Sequence, residues 1–87
     1  MKQKSKKEST YVEMNTEDEI KKLAKRIKQL RIKKGYTSYE YFAYEHNISR
    51  AQFGRYEKGE DLRFGSLVRV VNAFEMTWKE FFSEGFD

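Results

Sequence analysis

The chain has 87 residues, with 38% hydrophobic and 37% charged residues and neither cysteine nor proline. That length fits one small domain, and without cysteine there is no disulfide framework and no thiolate zinc site. No apolar run is long enough to span a membrane and no apolar segment follows the basic N-terminus, so neither a transmembrane helix nor a secretory signal is expected, and a cytoplasmic location is. The net charge of +4 is uneven: residues 17–34 hold eight basic and three acidic residues, residues 35–87 six basic and nine acidic. A solvated helix face explains most such runs; an anionic partner is the sharper reading.

Residues 1–16, beginning MKQKSKKEST, are expected to be a flexible basic tail. A DNA-contacting arm and a solubilising tail are equal readings of it. The domain is expected over 17–87. A first helix starts near Glu17, where Thr16 with Glu19 matches a capping box and three acids crowd the first turn. Ile20, Leu23, Ala24, Ile27 and Leu30 follow at helical spacing. Basic residues in the last turn and Gly35 after it supply the stop.

In YTSYEYFAYEHN the alternation around Tyr39 and Tyr41 admits a strand, but Thr37 or Ser38 can cap a helix and Tyr39, Phe42, Ala43 and His46 form one stripe. A short helix over 38–46 follows, with Asn47 ending it in a left-handed conformation. A third helix covers 49–57, with Ser49 and Gln52 as capping box. The tight joint between the two fits a helix-turn-helix. On a helical wheel Phe53 and Tyr56 mark the inward face, while Ala51, Gly54 and Arg55 lie away from it, with Arg50 at the tip. Two readings stand for Gly54. It lets the helix backbone approach a phosphate or base edge, or it sits where a neighbour such as a tyrosine crowds the helix.

GEDLRF reads as a loop. Phe64, Leu67, Val68, Val71 and Phe74 mark a fourth helix, although its β-branched content also admits a strand. Thr77 with Glu80 caps a fifth, short helix on which Trp78, Phe81 and Phe82 are expected in the core, with Phe86 beyond it as a candidate dimer contact. His46 is expected to be partly buried. There is no P-loop, dinucleotide glycine pattern, nucleophile elbow or metal constellation. No enzyme, catalytic residue, metal or cofactor is expected.

The segments LRIKKGYT, FAYEHNIS, SRAQFGRYEKG, FGSLVRVVNAF and MTWKEFF together resemble the phage-repressor and Cro-like helix-turn-helix family, also called the xenobiotic-response-element family. The resemblance runs over 27–82 and is carried most specifically by Ile48, Ser49, Phe53, Arg55, Tyr56, Glu57 and Gly59. It implies an all-α, compact five-helix, lambda-repressor-like domain. By implication this is a sequence-specific double-stranded DNA-binding transcriptional regulator, most simply a repressor, acting as a homodimer on palindromic sites. Carried over by position, Arg50, Ala51, Gly54 and Arg55 would read bases in the major groove. Ser38, Tyr39, Ser49, Gln52, Lys58 and Arg63 would hold the DNA backbone, and Glu57, matching a structural glutamate of the family, would pair with Arg26 or Arg31. The turn before the second helix is one residue longer than the common pattern, His46 stands at a usually apolar position, and Leu62 replaces a frequent proline. The alternative reading is an antitoxin-type interaction module with a toxin-like protein partner that also binds its own promoter.

Overall fold

The structure, a computed structural model, describes residues 11–87. The arm expected at the extreme N-terminus lies outside the described residues. Residues 11–15 are exposed and without regular secondary structure. Five helices follow: α1 Thr16–Lys33, α2 Tyr39–Glu45, α3 Arg50–Glu57, α4 Phe64–Ala73 and α5 Trp78–Phe81. No strand occurs among the described residues, so the strand readings near Tyr41 and Val68 fall away and the all-α expectation stands.

Local chemistry sets each boundary. Asn15, not Thr16, caps α1: its side chain accepts from the Asp18 backbone N–H at 3.0 Å. Asparagine is at least as good an N-cap as threonine, and Glu19 is left to pair with Lys22 at 2.9 Å. Ser38 caps α2 through the Tyr41 N–H, which decides between it and Thr37. Asn47 has φ +57, the left-handed stop expected of it. Ser49 caps α3 through the Gln52 N–H. Both halves of the Thr77–Glu80 box form at α5. A second left-handed residue, Glu75 at φ +58, ends α4 where the sequence carries no glycine or asparagine to announce it.

The helices bury one core of Ile27, Leu30, Phe42, Ala43, Phe53, Tyr56, Val70, Val71, Phe74 and Phe81. Phe42 is its hub, with ring centroids 5.0 Å from Phe74, 5.2 Å from Phe53 and 5.0 Å from Tyr36. Such ring pairs add about 0.5–1.5 kcal/mol each beyond the area they bury. Leu62, at the position of the missing proline, packs half-buried against this core. Of the three α5 aromatics expected inside, only Phe81 is buried; Trp78 and Phe82 are exposed. One helical turn presents one side to the core, and the residues flanking Phe81 on the wheel point away from it.

Two arginines of α1 are buried with the core. Arg26 donates from Nε to the Phe81 carbonyl at 2.7 Å and from Nη2 to the Glu80 carbonyl at 3.0 Å, tying the open end of α5 to α1. Arg31 goes to Glu57, as described below.

Candidate nucleic-acid interface

The α2–turn–α3 unit is held by short-range bonds. The Ile48 N–H reaches back to the Ala43 carbonyl at 2.9 Å across the left-handed Asn47, which closes the C-terminus of α2. Ile48 packs half-buried on the core. His46 lies over the Phe42 ring at 4.2 Å, with Nδ1 2.8 Å from the Phe42 carbonyl. It is half-buried, as expected, and it serves the turn.

The far end of α3 is fixed by charge. Arg31 donates from Nε and Nη2 to the two carboxylate oxygens of Glu57, at 2.8 and 2.7 Å, and from Nη1 to the Tyr36 carbonyl at 2.9 Å. The side chains are only 5% and 7% exposed. The hydrogen bond to Glu57 holds the Arg31 pKa above its ordinary value. A fork-to-fork pair of this kind fixes direction as well as distance. It sets the rotation of α3 against α1, and Arg31 rather than Arg26 is the partner of Glu57.

With α3 fixed this way, Phe53, Gly54 and Tyr56 face inward, and Arg50, Ala51, Gln52 and Arg55 are exposed. Gly54 is the correction. It is buried beneath Tyr39, and a Cβ there would lie 2.7 Å from Cε1, 2.9 Å from Cζ and 3.0 Å from the hydroxyl of that ring. The helix α2 crosses on the side of the wheel that the sequence leaves open, so Gly54 is not placed to touch a base. Tyr39 is correspondingly half-buried, seated on α3 as well as at the start of α2.

The remaining candidates divide by position. Gln52, Arg55 and Arg63 share a cleft of about 560 Å³ between α3 and the start of α4 with Glu60, Asp61 and Arg69. Three arginines thus face two carboxylates. The first turn of α4, which has no side-chain cap, lines the same cleft and brings free N–H groups to an already positive site. Arg55 Nε lies 3.5 Å from Glu60 Oε1, an open pair with both side chains at least half exposed, which is worth little and easily released. Arg50 and Ala51 are exposed at the N-terminal end of α3, and Lys58 is exposed just past its C-terminus, about 12 Å along the axis from Arg50 at 1.5 Å per residue. Ser38 and Ser49 are occupied as caps. Arg69 escaped the sequence reading, although it is the one cation within the otherwise apolar run of α4.

Among the described residues no group of three or more metal-ligating side chains occurs, and no helix is long and apolar enough to cross a membrane. In comparisons with known proteins, no family model, no curated protein and no solved structure matches this chain.

Proposed function

We propose that the protein is a sequence-specific double-stranded DNA-binding regulator, and most simply a repressor, with its five helices arranged as in the phage-repressor family that its sequence resembles. The observation that carries this reading is the exposed side of α3. Arg50, Ala51, Gln52 and Arg55 are exposed, Arg55 with only the open pair to Glu60, on a helix whose Phe53, Gly54 and Tyr56 are buried, just after a tight turn. In the major groove an arginine can bond both acceptors of guanine, and an alanine can contact a thymine methyl. Arg63, Arg69 and Lys58 flank that side and would neutralise phosphates, which supplies most of the affinity and its salt dependence. A small domain seated on a promoter acts by occluding it.

An amide-shift titration of the protein with duplex DNA tests this reading. Shifts concentrated at Arg50, Ala51, Gln52, Arg55 and the start of α4 would support it. Shifts confined to α5 and the N-terminal half of α1, or none at all, would refute it.

A further inference from the structure

The outer side of α2 is built from two residue types. On the wheel Glu40, Tyr44, Tyr41 and Glu45 follow one another over an arc of about 140°. All four are exposed, Tyr41 by 55% and Tyr44 by 70%. A face that meets only water is better served by Lys, Gln and Ala, which favour helix more than Tyr and leave no ring in solvent. Tyr36, from the turn before α2, joins this face. Its ring lies 5.7 Å from that of Tyr41 with 42° between planes. Both hydroxyls donate to the Glu45 carboxylate, that of Tyr36 at 2.6 Å, so rings and carboxylate hold one another in place. Residues 35–49 contain two Glu and no Lys or Arg, in a chain of net charge +4. Neither Glu40 nor Glu45 forms a salt bridge with a Lys or Arg among the described residues.

We infer that this face docks a basic segment of a different protein, with an arginine of that segment stacked on Tyr41 or Tyr44 and paired with Glu40 or Glu45. The chemistry of the face selects that partner. A guanidinium is planar, stacks on an aromatic ring and presents a fork of donors to a carboxylate, so one side chain satisfies both residue types at once. Tyrosine is among the residues that carry most of the binding energy of protein interfaces. Nucleic acid is disfavoured here, because the two carboxylates repel phosphates. A second copy of the chain set on the same face by a two-fold axis would bring glutamate against glutamate. Tyr39, on the other side of α2, is seated over Gly54 of α3. The docking face is therefore turned away from α3, and the inference holds whether or not α3 reads DNA.

Titration of the isotope-labelled full chain, without DNA, with an amidated hexa-arginine peptide tests it, read by backbone-amide and tyrosine-ring NMR shifts. The shifts should centre on Glu40, Tyr41, Tyr44 and Glu45. Hexalysine, of the same charge, should bind at least about threefold more weakly, because an ammonium neither stacks nor forks. Removing both rings, Tyr41→Ala with Tyr44→Ala, should weaken hexa-arginine binding by roughly 5–30-fold, the loss of two exposed cation–π contacts. If that double variant fails to fold, Glu45→Gln removes the charge and keeps the rings, and should weaken binding at least about threefold. Shifts confined to the acidic first turn of α1, at Glu17, Asp18 and Glu19, or no shifts at all, would overturn the inference. Equal binding of the two peptides, or variants that bind as tightly as the original chain, would overturn it as well.

Discussion

Replacing Gly54 with alanine separates the two readings that its place in α3 allows. A helix-interior glycine costs about 1 kcal/mol relative to alanine, so an open site would make Gly54→Ala stabilising by that amount. The added Cβ would instead fall 2.7 Å from Tyr39 Cε1, closer than atoms can pack, and the ring must swing out. Half of the burial of an aromatic side chain is worth roughly 1–1.5 kcal/mol, and the crowding that remains adds about 1 kcal/mol. Against the helix gain, the variant should be destabilised by about 1–1.5 kcal/mol, lowering Tm by roughly 4–12 °C. In a Tyr39→Ala background the obstacle is gone and the same change should stabilise by about 1 kcal/mol, a coupling of about 2 kcal/mol. Urea unfolding followed by circular dichroism measures all four proteins. If Gly54→Ala stabilises equally in both backgrounds, Tyr39 does not crowd the helix and the argument fails.

Arg55→Ala should cost roughly 1–3 kcal/mol on the preferred duplex and flatten the preference at one base pair; an equal loss on every sequence would make Arg55 a phosphate contact. Arg31→Met would leave the Glu57 carboxylate, 7% exposed, buried without its partner and should cost about 3–5 kcal/mol in urea unfolding, whereas a loss below about 1 kcal/mol would mean that this pair does not fix α3. The Tyr36 hydroxyl donates to Glu45 at 2.6 Å, and that bond, followed by one from Tyr41, holds the Glu45 pKa below its ordinary value. The same partner, followed by burial, holds the Tyr36 pKa above its own. Stability from a lowered carboxyl is present above its unfolded pKa and lost as pH falls through the folded one, while stability from a raised phenol is lost as pH rises through its folded value. The coupling between Tyr36→Phe and Glu45→Ala should therefore be seen at neutral pH and vanish at about pH 2; if it persists there, the carboxylate is not its source.

The elements were legible because their signals are local. Ser38, Ser49 and Thr77 each cap the helix that follows, and Asn47 turns left-handed where the spacing between α2 and α3 requires it. What was misread depends on where one helix meets another. The wheel of α3 shows which way Gly54 points but not that α2 sets Tyr39 there. The apolar run of α5 suggests burial, but the single turn of the helix leaves room in the core only for Phe81. Arg26 lies on the apolar stripe of α1, between Leu23 and Leu30, which marks a buried cation but does not reveal that its partners are the Glu80 and Phe81 carbonyls. At the candidate interface, Arg50, Ala51 and Arg55 emerge exposed as the pattern suggested, and the cleft that joins Arg55 to Arg63 and Arg69 exists only once α4 is packed.

Selection from a random double-stranded DNA pool, followed by titration of the winner and a scrambled duplex at two salt concentrations, tests the central claim most directly. The account predicts a recovered sequence with inverted half-sites, bound at least about a thousandfold more tightly than the scramble. Weak, equal and steeply salt-dependent binding to both duplexes would mean that the basic residues hold DNA without α3 reading it, and would contradict the account.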